Sequence, residues 1–207
     1  MVGGLLNMIK APMDITPGKY FGEWLPNLIE PMKDLIGSFA GDLSAAISLR
    51  ITGDKGGEWS AIIDRGRVEI QEGLKPDALV TIGMSDTNFI EAVTGQIDDI
   101  MPQSSGEAVM EGSPEEMLAQ AKEKMAELKT IEGALRIVID DSERPYAVTV
   151  KFAGELKEEA DCVITLDRKK ANGIVTGEID PQTAFISGQV KIEGNSSLVM
   201  QLLAVTM

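Results

Sequence analysis

The chain predicts an α+β fold built twice, a mainly antiparallel sheet with helices gathered on one face. Three observations predict it. The segment from Val93 to Ser113 recurs without a gap as Val175 to Asn195; the hydrophobic period changes from that of a helix to that of a strand at Ile47; and the strand-like runs that follow are joined by short Gly and Asp turns. The two copies of the repeat, VTGQIDDIMPQSSGEAVMEGS and VTGEIDPQTAFISGQVKIEGN, share nine residues in order, where unrelated sequence gives roughly one. Upstream, Leu49-Arg50-Ile51 aligns with Leu135-Arg136-Ile137, Trp59 falls near Tyr146, and Asp77 aligns with Asp161. This divides the chain into residues 1–113 and 114–207, with a helix over 114–130 shared between them.

The elements follow in order. From Thr16 to Ala40, Phe21, Leu25, Leu28, Met32, Leu35, Ile36 and Phe39 stand three and four apart, one stripe of an amphipathic helix. Pro26 and Pro31 fall inside the pattern, so a kinked helix or two short ones is expected. ISLRITGD, EWSAIID, RVEIQEG and ALVTIGM then read as strands. Ser113-Pro114-Glu115-Glu116 is a helix start, with Ser113 as cap, Pro114 at the first helical position and Glu116 completing a capping box. Met117, Ala121, Met125 and Leu128 form the stripe of that helix. Strands follow at ALRIVID, YAVTVKF and CVITLD, then helices at 168–176 and 181–186, the strand QVKIEG and a closing helix from Ser197.

Alternation sends Leu135, Ile137 and Ile139, Tyr146, Val148 and Val150, and Cys162, Ile164 and Leu166 to one face, joined by Val190 and Ile192. Phe185 and Ile186 and the closing helix, with Leu198, Val199, Leu202 and Leu203, would lie against it. Periodicity alone leaves open whether this is a filled core or a cavity.

Composition excludes much chemistry. With no histidine, Ser-His-Asp and Cys-His nucleophile systems and histidine-containing zinc sites are absent. The lone Cys162 builds no disulfide or cysteine-only metal site, and its place in a strand reads as an inert core thiol. No phosphate-cradling GxxxxGK[ST] or calcium loop occurs, so no cofactor or metal is expected and the chain reads as no enzyme. Asp98-Asp99, Asp140-Asp141 and Glu158-Glu159 fall where turns are expected and read as solvated. Asn195-Ser196-Ser197 reads as a turn and a helix cap.

Net charge is −14, with 8 basic and 17 acidic residues in 1–113 and 11 and 16 in 114–207. That balance argues against nucleic acid and against electrostatic docking on an anionic membrane. Arg168-Lys169-Lys170 is the one basic run, a solvated face or a contact for a carboxylate, phosphate or headgroup. No segment is apolar enough to span a membrane, and MVGGLLNMIKAPM lacks the charged leader of a secretory signal, so a cytoplasmic protein is expected.

Ala160-Asp161, Thr176-Gly177, the Pro181 to Phe185 segment PQTAF and the Gly194-Asn195 turn before the closing helix resemble a sterol carrier protein 2 (SCP2) type lipid-binding domain. The resemblance covers the second half well and, through the repeat, the first more weakly. It implies two tandem modules, each a five-stranded sheet under helices enclosing an apolar tunnel for fatty acyl chains, acyl-CoA, isoprenoids or sterols. On that reading Ile139, Val148, Val150, Ile164, Leu166, Phe185, Ile186, Val190, Ile192, Leu198, Val199, Leu202 and Leu203 line the site. In the first half Pro102, Gln103 and Ser104 replace Ala184, Phe185 and Ile186, and Ala108 replaces Val190. That half is expected to be a degenerate supporting copy, or to hold its own cavity lined by Met101 and Met110. The implied partner is a hydrophobic lipid, with transient membrane contact. The competing reading is an accessory scaffold for a lipid-modifying or quinone-forming enzyme.

Overall fold

The structure is a computed structural model that describes residues 10–100, 113–143, 145–153, 156 and 159–206. The proline-bearing N-terminal run is helical throughout but changes type: α1 (Pro17–Lys19), a π turn (Tyr20–Trp24), α2 (Leu25–Ile29), a 3-10 turn (Glu30–Met32) and α3 (Lys33–Ala40). Pro26 and Pro31 have no N–H to give the α ladder, and the chain adjusts around them by changing helix type.

Four strands follow, β1 (Ser44–Thr52), β2 (Gly57–Asp64), β3 (Arg67–Glu72) and β4 (Val80–Ser85), then α4 (Asp86–Thr94). After α5 (Pro114–Leu128) come β5 (Gly133–Asp140), β6 (Tyr146–Phe152), β7 (Cys162–Asp167), α6 (Arg168–Val175), α7 (Pro181–Ile186), β8 (Lys191–Gly194) and α8 (Ser196–Thr206). The capping box at Ser113 and Glu116 is formed in both directions. α5 touches α3 on one side and α8 on the other.

In place of two separate five-stranded sheets, the described strands make one eight-stranded sheet in the order β3-β2-β1-β4-β6-β5-β7-β8. Its internal pattern repeats. β1 is antiparallel to β2 and parallel to β4; β5 is antiparallel to β6 and parallel to β7. The two patterns are joined where β4 pairs antiparallel with β6 through Val80↔Phe152 and Ile82↔Val150. β6 thus holds beside β4 the slot that β8 holds beside β7, and β4 holds beside β6 the slot that β3 holds beside β2. Two five-stranded units overlapping by two strands give the eight observed.

The register corrects the sequence alignment by two residues. Ile51 stands opposite Met84 as Ile139 stands opposite Leu166, so the strands correspond at an offset of 88 (139 − 51), not the 86 of the Leu-Arg-Ile match. At Met84 and Leu166 the offset is 82 (166 − 84). The drop of six equals the length of β3, 6 residues, whose counterpart the second pattern lacks among the described residues. The helices after β4 and β7 begin alike, capped by Ser85 and Asp167, and end alike at Gly95 (φ 78°) and Gly177 (φ 76°). A left-handed residue is needed there to leave the helix, and glycine adopts it without steric cost.

Alternation gives the sheet two unlike faces. Helices cover the apolar one: Phe21 and Phe89 on Ile51 and Trp59; Ala171 on Ile139 and Leu166; Leu198 and Val199 on Leu135 and Cys162. The other carries Ser48, Arg50, Ser60, Thr81, Gly83, Arg136, Thr149 and Lys151.

Candidate functional site

Under the first half the apolar face is filled by rings. Phe21 stacks on Trp59 with centroids 4.8 Å apart, Tyr20 meets Phe89 edge-on at 5.1 Å, and Phe21, Trp59 and Phe89 are all buried. Under the second half the same face is mostly aliphatic, with Tyr146 and Phe152 buried among the aliphatic side chains. The strand register brings Ile137 between Val148 and Ile164, Ile139 between Tyr146 and Leu166, and Leu135 between Val150 and Cys162.

The residues expected to line a site divide between two clusters. Ile139 and Leu166 are buried with Tyr146, Ala171, Ile97 and Ile100, and Val148 packs on their margin. Leu198 and Val199 are buried with Ile131, Leu135, Phe152 and Cys162, and Val150, Phe185, Ile192, Leu202 and Leu203 surround them half-buried. Ile137 and Ile164 join both clusters. Two expected residues stand outside. Val190 is half-buried ahead of β8 and belongs to neither cluster; Ile186 is 81% exposed, because its position at the end of α7 turns it away from the sheet.

Ile186 instead stands on the rim of a groove of about 190 Å³ between α7 and α8, lined by Gln182, Phe185, Ile186, Met200, Leu203 and Ala204. None of these six is charged, and α8 carries no charged residue from Ser196 to Thr206. Gln182, Met200 and Ala204 were missed from sequence, though Met200, Leu203 and Ala204 stand at i, i+3 and i+4, a spacing that puts them on one helix face. Met101 and Met110 lie outside the described residues.

Electrostatics around these clusters is structural. Burial, with a smaller contribution from the charge of Glu91, pushes the Tyr146 hydroxyl up to about 12. Burial also raises the Cys162 thiol, which favours the unreactive protonated form. Among the described residues no cluster of three or more His, Cys, Asp or Glu side chains is placed to hold a metal, and no helix is long and apolar enough to cross a membrane.

Arg168 of the basic run meets one member each of the pairs Asp98-Asp99 and Asp140-Asp141, all read from sequence as solvated. Arg168 donates from Nε and Nη2 to the two oxygens of Asp99 at 2.7 and 2.6 Å and from Nη1 to Asp141 at 3.3 Å; Asn172 adds a bond to the Asp99 carbonyl. The forked contact ties the segment after α4 to α6 and to the end of β5. The Arg168 hydrogen bonds hold the Asp99 carboxyl below its usual range. A depressed carboxylate stabilises the fold above its unfolded pKa of about 3.9 and ceases to do so as pH falls through the folded value. Arg168→Gln should therefore lower stability at pH 7 by up to about 1 kcal/mol, since Asp99 is partly exposed. Urea titrations should show the difference from wild type shrinking below about pH 4.

Residues 114–206 match the model of the SCP-2 sterol transfer family. Sterol carrier protein 2 of Bos taurus is 27% identical over 151 residues, covering 66% of this chain and 27% of that protein. That of Oryctolagus cuniculus is 25% identical over 213 residues, covering 93% of this chain and 38% of that protein. The chain thus spans well under half the length of these relatives. The crystal structure of Sterol Carrier Protein 2 Like 2 from Aedes aegypti aligns at 12% identity and a TM-score of 0.30, covering 41% of this chain and 94% of that one. The match to the SCP-2 sterol transfer family thus runs from the capped helix α5 to the apolar helix α8.

Proposed function

We propose that this chain binds and transfers hydrophobic ligands, of which a fatty acyl or isoprenoid chain fits best, without catalysing a reaction on them. The observation that carries the reading is the uncharged groove between α7 and α8, opening beside half-buried Phe185, Leu202, Leu203 and Ile192 in the residues that match a sterol transfer family. In this reading the chain is a fused pair of SCP2-type units divided near residues 113 and 114. The first unit, whose apolar face is occupied by Phe21, Trp59 and Phe89, serves as support.

The groove is smaller than the roughly 300–1,000 Å³ of ordinary ligand pockets, so it receives only part of a long chain. The rest would pass between α8 and the sheet, parting Leu202 and Leu203 from Ile192 and Ile164 and leaving the buried Leu198 and Val199 as a floor. Each methylene taken out of water contributes about 0.8 kcal/mol, which offsets the cost of that movement. Ile186 and Met200, 81% and 54% exposed, would meet the ligand first.

Native mass spectrometry of protein purified without delipidation should show a discrete lipid mass. Met200→Glu, a change at an exposed position, should leave the circular dichroism spectrum intact and weaken a fluorescent fatty acid at least tenfold, about 1.4 kcal/mol. A protein that carries no lipid and binds the probe no worse after Met200→Glu would overturn the reading in favour of a scaffold for a lipid-handling enzyme.

A further inference from the structure

The face of the sheet opposite the helices carries cations in a chain of net charge −14. Across the seam between β4 and β6, one row of this face reads Glu58, Arg50, Gly83, Thr149, Arg136, and the next reads Ser60, Ser48, Thr81, Lys151, Ala134. Neighbouring strands are about 4.8 Å apart, so Arg50 and Arg136 stand some three steps apart and flank the Gly83–Thr149 pair. Glycine leaves the floor between them low, and Leu156 fills the gap: a Cβ at Gly83 would fall 2.6 Å from its side chain.

A cavity of about 330 Å³ lies here, with Arg50 and Arg136 and no carboxylate among the described residues that line it. On the other side of Leu156 a second cavity, about 280 Å³, is lined by Arg50, Lys75 and Thr81, with Glu58. Glu58 is already engaged, accepting from Arg50 Nε at 2.8 Å, while Arg50 Nη1 donates to the Leu156 carbonyl at 3.1 Å. The loop that brings Lys75 is pinned by its own N–H to Ser48 Oγ at 3.0 Å.

Arg136, Lys75 and Lys151 have no carboxylate partner among the described residues. Lys151 is only 9% exposed. Its ammonium still reaches solvent, since among the described residues Asp98 Oδ1 is the buried side-chain polar atom left without a partner.

We infer that the cavity at the β4/β6 seam, on the face of the sheet opposite the helices, is a binding site for a small organic oxyanion carrying two or three negative charges. Arg136 would engage it in the forked manner guanidinium offers to phosphate and carboxylate alike, Lys151 and Lys75 would balance the remaining charge, and Arg50, held by Glu58, would form the wall. Both halves of the chain contribute, Arg50 and Lys75 from the first, Arg136 and Lys151 from the second. The site lies on the other side of the sheet from the lipid groove and does not depend on that reading.

The full chain, ¹⁵N-labelled at low ionic strength, should be titrated with pyrophosphate and separately with citrate. Saturable shifts centred on the Gly83, Thr149 and Arg136 amides are expected in at least one titration, and the tighter probe identifies the ligand as phosphate or carboxylate. Arg136→Gln, at an exposed position, should weaken that probe at least tenfold. Lys151→Met should reduce the Tm increase that the anion gives the wild type. Diffuse, unsaturated shifts with both probes, an Arg136→Gln affinity equal to wild type, or a Lys151→Met protein that keeps the full anion-induced Tm increase would each overturn the assignment. A fatty acid should not compete with the anion, so failure here leaves the lipid reading to its own test.

Discussion

Residues 114–206 produced alone should fail to give a stable monomer, although they coincide with the family match. In the intact chain β6 is an interior strand, hydrogen-bonded to β5 on one side and to β4 on the other. The cut would turn it into an edge carrying Tyr146, Val148, Val150 and Phe152 on its apolar face. It would also remove Ile97, 1% exposed, and Ile100 from the cluster around Tyr146, and Val80 from the cluster around Phe152. Each buried aliphatic side chain contributes about 1.5–3 kcal/mol. The loss is then on the order of 5 kcal/mol before the β4 ladder is counted, against a total stability of about 5–15 kcal/mol for an ordinary domain. Light scattering with size exclusion should find dimers or aggregates joined through the bared edge. The whole chain should unfold in one transition seen alike by Trp fluorescence, which reports the first half, and far-ultraviolet circular dichroism, which reports both. A well-dispersed monomeric spectrum from 114–206 would show that the seam is dispensable.

Leu198→Ala should be the most damaging single truncation in the second half. Leu198 is 1% exposed and lies on Leu135, Cys162 and Ile131, where β5, β7 and the start of the second sheet pattern converge. A Leu→Ala change at such a site costs about 2–5 kcal/mol, the higher value where neighbours do not collapse into the void. Gly133 lies close by, a Cβ there falling 3.3 Å from the Leu198 side chain, so backbone limits that collapse. A lower urea midpoint at unchanged slope is the expected result. Met200→Ala, one turn face away and exposed, should change the midpoint little.

The strands and the caps were legible in the sequence because both signals are local. Alternation in ALRIVID and YAVTVKF is enough to define a half-buried strand, and Ser113 with Glu116 defines a helix start within four residues. The fused sheet was not legible. Pairing of Val80 to Gly83 with Thr149 to Phe152 joins residues about seventy apart, and period two says which face a side chain takes but not which strand lies alongside. The two-residue error in aligning β1 with β5 escaped for the same reason, since an even shift leaves every side chain on its face. α4 was expected only through the repeat and without bounds, although its cap Ser85 and its terminating Gly95 bracket a nine-residue helix.

For the candidate site, the sequence named the apolar side chains and misjudged some of their surroundings. Leu198 is buried and Ile164 half-buried on the apolar face, whereas Ile186 follows helix geometry outward. The ion cluster at Arg168 was invisible because Asp99 and Asp141 reach it from separate elements, and each acidic pair looked like a turn in isolation. Arg136 and Lys151 had a signal, two cations on the polar phase of adjacent strands, but their missing partners appear only in three dimensions.

The seam between β4 and β6 also sets an order in time for a chain made from its N-terminus. β4 is complete at Ser85, but the strand that covers its free side ends at Phe152, 67 residues later (152 − 85). At a synthesis rate of about 5–20 residues per second, that interval is on the order of 3–13 seconds. Throughout it the nascent first half presents an uncovered strand bearing Val80 and Ile82, which makes this window the one in which a ribosome-bound chaperone has most to shield.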